Sequence, residues 1–196
     1  MDHAETMAQS VDVAVAAISG ADPARFDAPS PCAEFTVRQV ASHLAFGLLL
    51  AEYAAARKDW EEGWSGSNEA PYLAGVPESQ WAGKVAEQGG ATRRAWADPA
   101  AWEGETSFGG GPMPAAALGS MMTAEFVLHA WDVAAGTGQR LDVSPELAEA
   151  ALAGVRAIAP MGRDGGWFGP EVAVPADAPA LDRALAASGR DPSWTP

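Results

Sequence analysis

Cysteine is almost absent from this chain, since Cys32 is the single example in 196 residues. One cysteine cannot form an intramolecular disulfide, and it cannot build a structural zinc site of the four-cysteine or two-cysteine, two-histidine type. This low cysteine content is typical of a protein that folds in a reducing compartment, and we expect a cytoplasmic location.

Basic residues and long apolar runs are also scarce. The chain has 12 Lys and Arg against 26 Asp and Glu, which gives a formal net charge of −14. Such a surface repels phosphate backbones and anionic lipid, so we expect no nucleic-acid or membrane partner. The first ten residues, MDHAETMAQS, lack the basic and apolar segments of a signal peptide. No apolar stretch approaches the roughly 18 residues that span a bilayer.

What the chain does have is helical periodicity, with apolar residues making up 48% of the sequence. The pattern predicts helices at about 4–19, 37–57, 78–97, 114–135, 145–158 and 178–188. Thr36 and Gln39 have the spacing of a capping box, and Ser144 precedes Pro145 as an N-cap does.

These helices predict an all-α protein with a single domain over 1–196. Its core is a four-helix bundle over about 4–136, and a short C-terminal helical extension covers about 140–196. The segment 98–113 is expected to be irregular or briefly extended, and 160–175 to be a loop with room for one short strand.

The predicted helix over 114–135 carries three titratable residues where apolar residues are expected. At about 100° per residue, Glu125, His129 and Asp132 fall in the same band of roughly 80° as apolar members of its buried stripe. His43 has the same inward direction on the helix over 37–57. A carboxylate buried alone is very costly, so it must be paired, protonated or bound to a metal.

Two interpretations of these residues remain open at this point. In the first, Glu125 and His129, four residues apart, bind one divalent ion together with His43 and leave a position open, as in a catalytic zinc site. In the second, His43 is a satisfied core histidine, and Glu125 with His129 forms an internal hydrogen bond or lies at a wet bundle end. Asp132 either orients a ligand, holds the end of another helix or pairs with an arginine such as Arg38.

Three segments carry a resemblance to a known family: PSPCAEFTVRQVASHL, AEFVLHAWDVA and LDRALAASGRDPSW. In this order and spacing they resemble an actinobacterial family of metal-binding proteins in the DinB-like superfamily, related to the mycothiol-dependent maleylpyruvate isomerases. The resemblance covers most of the chain and is least specific over about 58–112. It implies a four-helix bundle that binds one divalent metal, most often zinc, through His43, Glu125 and His129.

The resemblance also implies a chemistry. Characterised enzymes of the superfamily mostly handle low-molecular-weight thiols such as mycothiol or bacillithiol, as S-transferases or thiol-assisted isomerases. We therefore expect a small electrophilic substrate, with mycothiol as co-substrate and the metal activating its thiol. Maleylpyruvate isomerisation itself is not expected, because about 60 residues follow the metal helix, where the isomerases carry a distinct C-terminal domain.

The sequence is also compatible with other functions and with two roles for Cys32. A metal-dependent hydrolase would use a metal-bound water as the nucleophile, and a non-enzymatic protein would only bind a metal or a ligand. Cys32 is either a reactive thiol near the metal or a small residue that fits a tight loop before a helix. A homodimer is compatible with the sequence.

Overall fold

A computed structural model describes residues 2–109 and 111–196 of the chain. Its helices are α1 (His3–Ser19), α2 (Val37–Ala55), α3 (Trp81–Trp96), α4 (Ala115–Thr137), α5 (Pro145–Asp164) and α6 (Ala180–Ala187), and its strands are β1 (Glu105–Ser107) and β2 (Pro112–Pro114). The two strands pair in an antiparallel hairpin. The prediction of an all-α helical bundle is confirmed.

The first four helices form the bundle. Helices α3 and α4 each pack against both α1 and α2, so that α1 and α2 face each other mainly across its diagonal. Fully buried side chains of the bundle core include Met7, Val11, Leu44, Leu48, Trp96, Leu118 and Phe126. This arrangement makes α2 and α4 neighbours over their length, which brings His43 close to the titratable side of α4.

Helix α4 is central to the fold. It contacts α1 and α2 on one side and α5 on the other, and α6 packs on α5. The sequence pattern predicts a single buried stripe on α4, but the helix is buried on most of its faces because α5 covers a second one. Gly154 of α5 permits this close approach, since a Cβ there would lie 2.8 Å from the carbonyl oxygen of Ser120.

Local sequence signals fix several of the helix ends, including the start of α2 and the end of α4. Thr36 and Gln39 form the predicted capping box at the start of α2. Ser144 caps α5 and accepts a hydrogen bond from the backbone of Leu147. Helix α4 ends at Gly138, which adopts a left-handed conformation with φ of 73°. None of the helices described here is long and apolar enough to cross a bilayer.

The end of α5 differs from the sequence prediction, and the position of the strands agrees with it in part. Helix α5 continues to Asp164 instead of ending near residue 158, and it passes through Pro160. A proline removes one backbone hydrogen bond, but the last turn is held by the Trp167 and Phe168 amides, which both donate to the Gly162 carbonyl. The described residues between 160 and 175 contain no strand, whereas the β1–β2 hairpin lies where a briefly extended segment is predicted.

Candidate metal centre

The structure brings His43 of α2 together with Glu125 and His129 of α4. One carboxylate oxygen, Glu125 Oε1, lies 3.0 Å from His43 Nε2 and 3.1 Å from His129 Nε2. One nitrogen or oxygen atom from each of the three residues lies within 4.8 Å of the other two. A single carboxylate oxygen therefore stands between two imidazole nitrogens from different helices.

Local and tertiary geometry both contribute to this cluster. Glu125 and His129 meet because residues four apart lie on adjacent turns of one helix face. His43 is 82 residues away from Glu125 in the chain and reaches it only because α2 packs on α4. Gly47, one turn beyond His43, faces Phe126 of α4, where a Cβ would be in ordinary van der Waals contact with the ring at 3.4 Å.

The cluster is closed on one side and open on the other. The side chain of His129 is 9% exposed, whereas those of His43 and Glu125 are 25% and 28% exposed. Two surface grooves of about 480 and 320 Å³ lie elsewhere, beside α1. Within the described residues, neither groove holds three donor atoms close enough to share an ion. The converging side chains, and not a deep cavity, therefore mark the candidate site.

Behind His129 lies a buried ion pair. His129 Nδ1 is 2.9 Å from Asp132 Oδ2. Arg190, which follows α6, donates from Nε to Asp132 Oδ1 at 2.8 Å and from Nη2 to Asp132 Oδ2 at 2.7 Å. Asp132 is fully buried and Arg190 is 8% exposed. Asp132 thus pairs with Arg190 and not with Arg38, which lies in the first turn of α2 and pairs with Asp27 instead.

The charges in this cluster shift one another's pKa. Burial raises the pKa of Glu125, but the charge of His129 and the hydrogen bonds of both imidazoles outweigh it and hold that pKa well below the usual range. Burial likewise opposes ionisation of Asp132, yet the Arg190 guanidinium and His129 lower the pKa of that carboxyl. Burial lowers the pKa of His129, but Glu125 and Asp132 outweigh it and raise the pKa to about 9. Both carboxylates are therefore ionised at neutral pH, and His129 carries a proton when no metal competes for it.

The donor atoms suit a divalent ion such as zinc. Two imidazole nitrogens and one carboxylate oxygen match the ligand types of catalytic zinc sites. Tetrahedral donors about 2.1 Å from zinc are about 3.4 Å apart, and the two observed distances of 3.0 and 3.1 Å are close to this. Asp132 contacts the other ring nitrogen of His129, Nδ1, as carboxylates commonly do with metal-binding histidines. His43 is held less firmly, because its buried Nδ1 has no hydrogen-bond partner among the described residues.

A second group of donors shares His129. Cys32, His129 and Asp132 also place one donor atom each within 4.8 Å of the others. Both oxygens of Asp132 already accept hydrogen bonds from Arg190, whose positive charge opposes a cation at that point. Burial, followed by the charge of Asp132, raises the pKa of the Cys32 thiol to about 11 against the opposing effect of Arg190. This group is therefore the poorer metal site.

The residue that sequence reasoning missed is Arg190. The segment LDRALAASGRDPSW contains it, but nothing in the periodicity of the chain connects a residue after the last helix to α4. The available signal is electrostatic, because a core-facing aspartate needs a cation. That requirement does not select one arginine from the 12 basic residues.

Comparison with known proteins identifies the family of the chain. The family described as the mycothiol maleylpyruvate isomerase N-terminal domain matches residues 7–134, which include His43, Glu125 and His129. Two uncharacterized proteins from two strains of Mycobacterium tuberculosis are each 27% identical to the chain over 195 residues, covering 97% of it and 98% of the relative. No solved structure matches. Because the match covers more than half of the chain, the protein belongs to the mycothiol maleylpyruvate isomerase N-terminal domain family, a DinB-like family of metal-binding domains.

Proposed function

We propose that this protein is a metal-dependent enzyme that uses a low-molecular-weight thiol, with mycothiol as the co-substrate, to transfer or isomerise a small electrophilic compound. Its metal is one divalent ion, preferably zinc, held by His43, Glu125 and His129. The observation that carries the proposal is the position of Glu125 Oε1 between the Nε2 atoms of both imidazoles. The family supports the thiol, because its description names mycothiol.

The charges of the site suit an anionic sulfur. A bound divalent ion would supply a Lewis acid that lowers the pKa of a thiol in its coordination sphere. Glu125 contributes one negative charge and the two imidazoles contribute none when they are neutral ligands, so the site keeps a net charge of about +1. Asp132 and Arg190 form a separate, neutral pair. A thiolate is therefore attracted to the site.

Access to the site is one-sided. The solvent-facing parts of His43 and Glu125 leave a direction from which a thiol and a substrate can approach, whereas buried His129 closes the opposite side. The thiol proton leaves to solvent, and the sulfur forms a bond with an electrophilic carbon of the substrate. In a transfer reaction the sulfur displaces a leaving group, which departs with the electron pair of its bond to that carbon, and the conjugate is the product. In an isomerisation the sulfur adds to a carbon–carbon double bond conjugated to a carbonyl, and the π electron pair moves to the carbonyl oxygen as an enolate. After rotation about the resulting single bond, the enolate pair re-forms the double bond and expels the thiolate, so the thiol is regenerated.

Metal content tests the first part of the proposal. We expect the wild-type protein to bind about one equivalent of zinc or Co²⁺, and Glu125→Gln to bind far less, because a neutral amide is a poorer ligand than a carboxylate. Glu52→Gln is the matched control. Glu52 is also partly buried and accepts a hydrogen bond from Gln88, but it lies outside the site. Wild-type protein that takes up well under half an equivalent would contradict the proposal.

Thiol dependence tests the second part. Turnover of a model electrophile is measured with zinc-loaded protein, with and without mycothiol. We expect turnover only when mycothiol is present, and loss of that turnover in Glu125→Gln. Turnover of ester or amide substrates without any thiol would support the hydrolase alternative instead. Mycothiol that leaves the visible spectrum of the Co²⁺ protein unchanged would exclude the thiol from the metal centre.

A further inference from the structure

We infer that Arg190 is a positioning residue of the metal centre, acting through Asp132 on His129. The inference rests on the proposed function and extends it, because it assigns part of the centre to the C-terminal extension. Arg190 lies 56 residues beyond the segment 7–134 that the family match covers. The functional unit therefore includes the chain after α6.

The contacts of Arg190 leave Asp132 little freedom. Its Nε and Nη2 each donate to a different oxygen of Asp132, and its Nη1 donates to Ser188 Oγ at 3.0 Å. Two parallel hydrogen bonds from a planar guanidinium fix both the position and the plane of a carboxylate. The remaining acceptor capacity of Asp132 Oδ2 is directed at His129 Nδ1, 2.9 Å away. Arg190 Nη2 lies farther from the same nitrogen, at 3.5 Å, so the shorter contact with Asp132 dominates.

This fixed carboxylate decides how His129 presents its ring. An ionised Asp132 can only accept hydrogen bonds, so it selects the form of His129 that has a proton on Nδ1. When that ring is neutral, the lone pair is then on Nε2, which faces Glu125 and His43. Arg190 thereby holds in place the nitrogen that the proposed metal requires, although it touches neither Glu125 nor His43.

The conformation of the chain after α6 places Arg190 against α4. Gly189 has φ of 88°, and a Cβ at this position would lie 2.6 Å from Gly169 Cα. This turn, closed by a hydrogen bond from the Arg190 amide to the Leu185 carbonyl, directs Arg190 towards α4. Arg163 ties the same region to α5 by donating to the Ala187 carbonyl at 2.9 Å. Within the part of the chain that the structure describes, Arg163 makes no hydrogen bond or ion pair with Asp132 or His129, so it is a matched control.

The experiment compares the wild-type protein with Arg190→Lys and Arg163→Lys, which both keep the positive charge. Lysine cannot form two parallel hydrogen bonds with a carboxylate. We expect Arg190→Lys to weaken Co²⁺ binding by about 10- to 100-fold, as other changes behind metal-binding histidines do. Arg163→Lys is expected to bind Co²⁺ like the wild-type protein. Circular dichroism shows whether each variant is folded.

A second measurement separates positioning from a purely structural role. NMR of the metal-free proteins reports how fast the His129 Nδ1 proton exchanges with water. We expect slow exchange in the wild type and in Arg163→Lys, and fast exchange in Arg190→Lys. If the wild type binds Co²⁺ and a folded Arg190→Lys matches it in affinity and exchange, the inference is overturned and the metal centre stands. If the wild type binds no Co²⁺, the proposed function fails, and the exchange rates alone decide whether Arg190 positions His129.

Discussion

Replacing Asp132 by asparagine tests the buried ion pair directly. Asp132 is fully buried and accepts two hydrogen bonds from Arg190, while its third contact is with His129 Nδ1. Asparagine has nearly the same shape but only one acceptor oxygen, and its amide group would place a donor against another donor. Asp132→Asn therefore leaves the Arg190 guanidinium without a counter-charge in a site that is 8% exposed.

The expected cost is large for a protein of this size. Breaking a buried ion pair by removing one partner typically costs about 3–5 kcal/mol. For domains of 150–250 residues each kcal/mol lowers the melting temperature by about 2–4 °C, so we expect a decrease of roughly 6–20 °C. The exposed pair of Asp12 and Arg93, whose side chains are 55% and 49% exposed, provides a control. Asp12→Asn should cost no more than about 1 kcal/mol.

The assay is urea unfolding followed by circular dichroism, with a chelator present so that metal binding does not contribute to the free energy. The double variant Asp132→Asn with Arg190→Gln removes both charges, and it should be more stable than Asp132→Asn alone, because no unpaired buried charge remains. A cost of under about 1 kcal/mol for Asp132→Asn, similar to that of Asp12→Asn, would refute this reasoning. If the double variant loses as much free energy of unfolding as Asp132→Asn and Arg190→Gln lose separately, added together, the coupling between the two charges is refuted.

Three further predictions concern the metal. Zinc at about 100 times its dissociation constant should stabilise the fold by about 2.7 kcal/mol, so melts with and without chelator should differ; identical midpoints count against a buried site. In calorimetric titrations, His129→Ala and Glu125→Gln should abolish zinc binding, whereas Cys32→Ser should retain it. Loss of zinc binding in Cys32→Ser would instead favour a site formed by Cys32, His129 and Asp132. Because the pKa of His129 is raised to about 9, it holds a proton below that pH that zinc must displace. Zinc affinity should therefore fall by about tenfold for each pH unit below 9, and a competition titration that gives a constant affinity between pH 7 and 9 would contradict this.

Most of the helical framework could be predicted from the sequence. The capping box of Thr36 and Gln39 marks the start of α2, and the left-handed Gly138 marks the end of α4. These signals are local, because a cap or a C-terminal glycine satisfies backbone groups within its own turn. The predicted end of α5 is wrong because the last turn of this helix is not stabilised by a local signal. It depends on residues beyond the helix, whose amides donate to the Gly162 carbonyl.

The candidate site also has one part that the sequence predicts and one part that depends on tertiary packing. The spacing of Glu125 and His129 places both on one face of one helix, so their contact follows from helical geometry alone. The sequence pattern also directs His43 inward. Whether His43 faces these two residues depends on how α2 packs against α4 and in which register. Periodicity carries no information on which helices pair. The resemblance to a metal-binding family supplied this pairing, and the distances of 3.0 and 3.1 Å agree with it.

The sequence by itself determined the helices, the positions of their apolar faces and the presence of titratable groups on α2 and α4, because each of these depends on residues within a few positions of one another. Only the tertiary structure decided which cation neutralises Asp132. Arg38 and Arg190 are equally charged in the sequence, but the turn at Gly189 delivers Arg190 to α4, whereas Arg38 stays at the start of α2 beside Asp27. Charge attraction acts between atoms that the fold has already brought within a few ångströms, so the partner of a buried charge is a property of the folded chain.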